Sequence, residues 1–143
     1  MKKKVLVRIL SQQQYEGEQP DISEFMSVGT LEVMDNSIAI SYEESELTGL
    51  EGTTTTFLLE KDRITLRREG KLRSEMVFAI NREHRSLYDM GMGALLITVR
   101  TTALVQAVGS EGGFVDVAYD LLVEDSQAGQ IRYHLDVSPL PPS

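Results

Sequence analysis

Residues 25–80 decide the fold, because they contain five apolar-rich segments separated by short turn sequences. The first two segments read FMSVGTLEVMDNSIAISYEE (residues 25–44), and the next two read TTTTFLLEKDRITLRR (residues 53–68). Asp35-Asn36 and Lys61-Asp62 lie within these pairs, and each predicts a two-residue hairpin turn. The alternation of polar and apolar residues around the turns predicts antiparallel strands with one buried face.

The turn lengths predict which residues lie opposite each other. A two-residue turn at 35–36 places Val33 opposite Ile38, whereas a slip of one residue would set apolar side chains against polar ones. The same alignment, continued through Ser74 and Phe78, gives three inward rows across the sheet. They are Val33, Ile38, Leu59, Ile64 and Phe78; Leu31, Ile40, Phe57, Leu66 and Met76; and Gly29, Tyr42, Thr55, Arg68 and Ser74. Two apolar rows beside one polar row predict a barrel that opens to water at one end.

The remaining sequence predicts further strands at residues 3–12, 84–90, 93–107, 114–124 and 130–138. Asp21 precedes Glu24 by three residues, a spacing that resembles a capping box and predicts a helical turn at 21–24. Gly91 and Gly93 predict a bend between two extended segments.

The last hairpin has two possible registers. A three-residue loop that ends at Gly129 pairs Glu124 with Arg132, whereas a five-residue loop pairs Asp120 with His134. With either register the sequence predicts an all-β fold: a single antiparallel meander β-barrel of eight to ten strands, in one domain spanning residues 1–143. With an even number of strands, the first and last strands can pair and close the barrel.

Composition excludes several classes of partner. The net charge of −8 argues against nucleic acid and against anionic membrane surfaces. The chain has no cysteine, so disulfides and thiolate chemistry are excluded, and a cytoplasmic, bacterial protein is expected. Lys2–Lys4 and the apolar residues after them do not form a signal peptide, because Arg8 and the polar residues 11–14 interrupt the apolar run.

No motif with catalytic or metal-binding specificity is present, so we expect no cofactor and no catalytic activity. His84 and His134 have no second histidine or carboxylate at ligand spacing on a shared face, which predicts surface histidines rather than a zinc site. Asp116 and Asp120 share a strand face but lie about 13 Å apart, too far for paired catalytic carboxylates. They are expected on a solvated outer face.

Several segments together resemble one bacterial protein family. They are Ile40–Glu44, Thr53–Thr56, Thr65–Gly70, Met76–Phe78 and Asp116–Leu121. This set is similar to the YwiB-like proteins, a resemblance that covers nearly the whole chain from residue 25 and implies a calycin-like, lipocalin-like β-barrel without implying a reaction. One departure is Tyr88–Gly93, where the family pattern Tyr-x-Thr-x-x-Gly would place a threonine instead of Met90.

The polar row is the best candidate for a site. Tyr42, Thr55 and Arg68 fall on adjacent strands, and Glu44 lies one row nearer the same end. Together with Met76 and Tyr119, these candidate ligand-binding residues would hold a small, partly apolar or anionic ligand.

In the alternative interpretation, Arg68 extends to solvent, pairs with Glu44 and seals a barrel filled by its own side chains. The chain is then a protein-interaction or homodimer module that uses the outer face of strand 114–124. The contact would include Phe114, Ala118 and Leu122.

Overall fold

The computed structural model describes residues 1–15, 17–45, 50–71, 73–89 and 93–140. These residues form ten strands and no helix. The strands are β1 (Lys2–Tyr15), β2 (Asp21–Val33), β3 (Ile38–Glu43), β4 (Thr53–Leu59), β5 (Ile64–Gly70), β6 (Ser74–Phe78), β7 (Glu83–Asp89), β8 (Ala94–Gly109), β9 (Gly112–Val123) and β10 (Ser126–Pro139). No helix in the described part of the chain is long and apolar enough to cross a membrane.

The ten strands form one antiparallel sheet in the order β6-β5-β4-β3-β2-β1-β10-β9-β8-β7. Strands that are consecutive in sequence pair with each other, and β1 pairs with β10, with Val7 opposite Val137. The predicted all-β meander barrel, with its first and last strands paired, is therefore confirmed. Its break lies elsewhere, between β6 and β7, where the sheet curls round until these two strands meet.

A histidine side chain links the two strands of this β6–β7 seam. The backbone N–H of Val77 donates to Nδ1 of His84 over 3.3 Å. The N–H of Thr101 on β8 donates to the carbonyl oxygen of Arg82 over 3.3 Å, which extends the β7–β8 pairing by one residue next to the seam. The barrel is thus nearly closed, and among the described residues no regular ladder joins β6 to β7.

The predicted register of β2 to β6 is confirmed along its whole length. Val33 lies opposite Ile38, Tyr42 opposite Thr55, and Thr55 opposite Arg68. Gly29 lies opposite Tyr42, and a Cβ atom at this glycine would approach the carbonyl oxygen of Ser41 to 2.5 Å. Only glycine fits this close backbone approach. The polar row therefore starts at a residue without a side chain, and the Tyr42 side chain fills the space beside it.

The apolar core occupies the rows that begin at Val33 and Leu31. Leu31, Ile40, Ile64, Leu66 and Phe78 are fully buried there. The strands on the other side of the barrel add Val5, Val7, Val115, Val117 and Leu135 to the same core. At this end the final part of β8 approaches the β4–β5 hairpin, and the Gln106 side-chain amide donates to the carbonyl oxygen of Glu60.

The helical turn predicted at residues 21–24 is wrong, because this segment is the start of β2. Asp21 lies opposite Gln13 and Glu24 lies opposite Leu10. The long strand β1 continues to Tyr15 and offers backbone partners over this whole stretch, so pairing outweighs the local capping signal.

Both registers predicted for the last hairpin are wrong. Glu124 and Asp125 have positive φ angles of 50° and 67° and form a two-residue turn of the kind that matches the twist of paired strands. The register also shifts between Gln127 and Gly129, and as a result Asp116 lies opposite His134. The bend predicted at Gly91 and the family departure at Met90 lie outside the described residues.

Candidate functional site

A carboxylate and two hydroxyl groups form the outer part of the polar row. Glu44 is buried just beyond the end of β3, and the Thr55 hydroxyl donates to its Oε1 over 2.7 Å. The Tyr42 hydroxyl also hydrogen-bonds to the Glu44 side chain. Two donors from neighbouring strands therefore hold this carboxylate in place, which is what a buried acceptor requires.

Arg68 is the unusual group of the site. Its Nε atom is buried and has no hydrogen-bond partner. Burial alone would lower the pKa of Arg68, but a hydrogen bond with Tyr133 and the nearby phenol groups outweigh it and raise the pKa, so the guanidinium stays charged. Among the described residues Arg68 forms no ion pair, and the predicted alternative pairing with Glu44 is absent from them.

All five tyrosines of the chain gather at this end of the barrel. They are Tyr15, Tyr42, Tyr88, Tyr119 and Tyr133, and they interact electrostatically with Arg68 or with one another. Burial raises the pKa of Tyr42 and of Tyr119 well above the usual tyrosine value, and the charge of Glu44 raises that of Tyr42 further. These phenols are therefore neutral hydrogen-bonding groups at physiological pH.

A cavity of about 240 Å³ lies beside Arg68. Its walls come from β1, β2, β3, β5, β10 and the loop before β4: Ile9, Ser11, Gln13, Ser23, Glu24, Phe25, Tyr42, Glu44, Leu50, Arg68 and Tyr133. Phe25 packs on the ring of Tyr42 with centroids 5.7 Å apart. At about 30 Å³ per water this volume corresponds to about eight water molecules, so it can hold a small molecule of comparable size.

Arg68 also borders a second, open groove at the β6–β7 seam. This groove of about 440 Å³ is lined by Arg67, Arg68, Arg73, Ser74 and other residues of the seam. The Arg67 side chain is neutralised by Glu75, whose Oε2 lies 3.3 Å from Nε. Glu69 and Glu75 also line this groove, so carboxylates balance most of its arginine charge.

The six predicted site residues occupy four kinds of position. Tyr42, Glu44 and Arg68 line the cavity, while Thr55 supports Glu44 from behind. Tyr119 lies near Arg68 without lining the cavity, and its ring contacts that of Phe78 at a centroid distance of 4.8 Å.

Met76 belongs to the apolar row below the site, opposite Leu66. Sequence reasoning missed the contributions of Tyr133 and Phe25, because both reach the site by pairing with β1, opposite Ser11 and Ile9, and no short turn in the sequence specifies those registers. The available signal was that every tyrosine falls on an inward strand position.

The prediction of two isolated surface histidines is wrong. His134 is half-buried, with Nδ1 at 2.8 Å from Asp116 and Nε2 at 3.1 Å from Asp136. The hydrogen bond to Asp116 raises the pKa of His134, opposed by partial burial, and Asp136 raises it further. No group of three or more His, Asp or Glu side chains in the described part of the chain is arranged to hold a metal ion.

The outer face predicted as a contact surface is partly covered. Phe114 stacks on His134 with ring centroids 6.0 Å apart, and Phe114, Ala118 and Leu122 are all half-buried. The more exposed apolar side chains of the outer wall lie on other strands, notably on β2.

Comparison with known proteins supports the fold. The crystal structure of the YwiB protein from Bacillus subtilis superposes with a TM-score of 0.81 at 18% sequence identity, over 94% of this chain and 92% of that chain. No curated protein sequence matches the chain. The model of a domain of unknown function (DUF1934) matches residues 7–135. The resemblance seen in the sequence is thereby confirmed, and the chain belongs to the DUF1934 family.

Proposed function

We propose that this protein is a non-enzymatic binding protein whose barrel holds one small anionic molecule anchored by Arg68. The observation that carries the proposal is a buried Nε–H group without an acceptor, beside a cavity of about 240 Å³. A buried donor without a partner costs about 1–3 kcal/mol. A ligand oxyanion would recover this cost and gain a charge-assisted hydrogen bond.

The walls of the cavity favour a compact ligand with two kinds of polar group. Arg68 supplies donors for an oxyanion, and the Glu44 carboxylate keeps acceptor capacity beyond its two hydroxyl partners. Ile9, Phe25 and Leu50 add apolar contact. The volume lies below the roughly 300–1,000 Å³ of pockets for drug-sized ligands. A small carboxylic acid that also carries a hydrogen-bond donor fits these conditions.

Binding without catalysis is supported by the state of the titratable groups. Glu44 is held by Thr55 and Tyr42, and the buried tyrosines stay protonated. Neither His84 nor His134 lines the cavity. A general base or an activated nucleophile needs a free partner at the reacting atom, and the lining offers none of the usual combinations.

We further propose that the barrel is related to the calycins and that the protein is a cytoplasmic protein of bacteria.

The proposal is tested by native mass spectrometry of the protein purified from its host, followed by calorimetric titration with benzoate, lactate and inorganic phosphate. We expect at least one of these anions to bind, and Arg68→Met to weaken that binding at least tenfold. Arg67→Met is the matched control, since Arg67 is adjacent on the same strand but exposed and paired with Glu75. Equal affinity in both variants, or no anion bound in any experiment, would refute the proposal.

A second function, as a protein-interaction module, is favoured by a separate observation. Ile22, Met26 and Val28 expose more than half of their surface on the outer face of β2. This function needs no ligand in the barrel and uses a different surface.

A further inference from the structure

Two side chains of opposite charge line the cavity of about 240 Å³ without neutralising each other. Glu44 is buried, Arg68 has a buried Nε atom, and both border this space. Neither belongs to an ion pair within the described residues. Glu24 also lines the cavity, but Arg8 neutralises it, with 2.7 Å between Arg8 Nη2 and Glu24 Oε1. The cavity wall therefore presents one uncompensated carboxylate and one uncompensated guanidinium.

Separate neutral partners hold these two charged groups in place. The Thr55 hydroxyl donates to Glu44 Oε1 over 2.7 Å, and the Tyr42 hydroxyl also bonds to this carboxylate. Arg68 instead hydrogen-bonds with Tyr133 on β10. Because the carboxylate is fixed by β3 and β4 and the guanidinium by β10, each keeps its charge available to the cavity. Groups that are fixed before binding lower the entropy cost of holding a ligand.

The strand register brings both charges near one hydroxyl group. Thr55, which bonds to Glu44, lies opposite Tyr42 on β3 and opposite Arg68 on β5. Neighbouring strands are about 4.8 Å apart, so the Glu44 carboxylate at Thr55 is about one strand spacing from the strand of Arg68. The Tyr42 hydroxyl experiences both charges, because burial and Glu44 raise its pKa whereas Arg68 lowers it. A single small molecule can therefore reach both charged groups.

A simple carboxylate would compensate only one of these charges. It would pair with Arg68, but it would also bring a second negative charge close to Glu44, and like charges repel strongly in a site that excludes water. A molecule with both a carboxylate and an ammonium group would compensate both and would add no net charge. The ammonium group has three donors, and Glu44 keeps acceptor sites beyond its two hydroxyl partners.

We propose that the ligand is a small amino acid in its zwitterionic form, with its carboxylate on Arg68 and its ammonium group on Glu44. This ligand class rests on the proposed function, because it keeps Arg68 as the anchor of an anionic group and specifies the second polar group of the ligand. The cavity volume suits a molecule of this size, and Ile9, Phe25 and Leu50 offer apolar contact to its side chain. Both ionic contacts are charge-assisted hydrogen bonds.

Ligand pairs that differ by one charged group give the first test. A thermal-shift screen of the standard amino acids, β-alanine and γ-aminobutyrate selects the tightest binder. Calorimetry then compares it with the acid of the same skeleton that lacks the amino group, for example leucine with 4-methylpentanoate. We expect the amino acid to bind at least tenfold more tightly. Equal affinities, or binding of simple anions without any amino acid, would overturn the zwitterion and leave Arg68 as an anion anchor.

A charge-neutral variant tests the role of Glu44. Glu44→Gln should weaken binding of the amino acid at least tenfold and should leave the acid without the amino group bound as well as before or better. Arg68→Met should weaken both compounds. Glu43→Gln is the matched control, because Glu43 is the exposed neighbour whose Oε1 accepts from the Thr54 hydroxyl over 2.8 Å, outside the cavity. A preference for the amino acid that survives Glu44→Gln would contradict the proposal.

The unmodified protein provides a readout even if Glu44→Gln fails to fold. The amide of the selected amino acid keeps the ammonium group and lacks the carboxylate, so it should bind at least tenfold more weakly than the amino acid. An amide that binds equally well would show that no anionic group is anchored at Arg68, and the proposed function would then fail as well. A weak amide together with an acid as tight as the amino acid would overturn only the contact with Glu44.

Discussion

The two ends of the barrel are built from the same strands, yet they differ in how their polar groups are satisfied. At the closed end, Ile64 and Phe78 are fully buried among apolar neighbours, and Gln106 joins β8 to the β4–β5 hairpin. At the open end, Arg68 keeps a buried Nε–H without an acceptor beside a cavity. The difference shows that strand alternation determines which side chains point inward. Whether those inward side chains are apolar or polar changes with their position along the barrel axis.

The comparison also separates stability from function. Apolar burial at the closed end contributes stability directly. Burying a guanidinium that forms no ion pair costs stability at the open end, so a role in binding accounts for Arg68 better than a role in folding does. Substitutions at the two ends should therefore change the free energy of unfolding in opposite directions.

The largest effect is expected at the closed end. Phe78→Ala removes a fully buried ring and should lower the free energy of unfolding by about 3–5 kcal/mol, through lost burial and an unfilled cavity. Urea denaturation followed by circular dichroism measures the change. Leu87→Ala, at a residue 63% exposed, serves as the control and should change stability by less than about 0.5 kcal/mol. A small loss for Phe78→Ala would mean that this end is not the packed one.

The second effect has the opposite sign and lies at the open end. Arg68→Met should raise the free energy of unfolding by about 1–3 kcal/mol in ligand-free protein, since it replaces an unpaired buried charge with an apolar chain of similar length. The same denaturation experiment measures it, with Arg67→Met as the exposed neighbour for comparison. If Arg68→Met instead destabilises the protein, the arginine is a structural part of the rim and the contrast between the ends fails.

The third effect tests what covers the closed end. Gln106→Ala should cost about 1 kcal/mol, because it removes the hydrogen bond to Glu60 and leaves the carbonyl oxygen without this donor. Gln130→Ala changes an exposed glutamine of β10 and is expected to be nearly neutral. Thermal and chemical denaturation of both variants decide the matter. Equal stability of the two variants would show that the hydrogen bond from Gln106 to Glu60 does not contribute to the stability of the closed end.

The smallest change in the free energy of unfolding is expected on the outer wall of the barrel, at His134, which belongs to neither end. The pKa of His134 is raised in the folded protein, so its stabilising contribution is fully present below the unfolded value of about 6.5 and is lost as pH rises through the folded pKa. His134→Gln should therefore lower the free energy of unfolding by under about 1 kcal/mol at about pH 5.5, and by less at about pH 9. Unfolding midpoints at both pH values measure the difference. A larger loss at the alkaline value would reverse the assigned sign.

The half of the barrel that contains β2 to β6 could be predicted from sequence because its turns are short and its alternation is strict. Asp35-Asn36 and Lys61-Asp62 leave little freedom in register, and the opposite charges of Arg67 and Glu75 lie opposite each other on the outer face in that register. The juxtaposition of Tyr42, Thr55 and Arg68 followed from that register alone.

The other half could not be predicted in the same way, because its geometry depends on backbone states that the residue types do not signal. Glu124 and Asp125 adopt positive φ angles without glycine, and a register shift follows at Gln127. Tyr133 lines the site through the pairing of β10 with β1, where it lies opposite Ser11, and no turn in the sequence specifies that pairing. Asp21–Glu24 carried a local helix signal that pairing with β1 overrode.

The break in the barrel between β6 and β7 has a mechanical consequence. In a fully hydrogen-bonded barrel, strand number and stagger fix the radius, and widening it means breaking a ladder. Here the bond between the Val77 amide and the His84 ring is one of few links across the seam. The barrel wall can therefore open at the β6–β7 seam while the β1–β10 ladder and the neighbouring ladders stay intact. Substitutions confined to the residues at this seam should therefore change the width of the barrel without breaking a strand ladder.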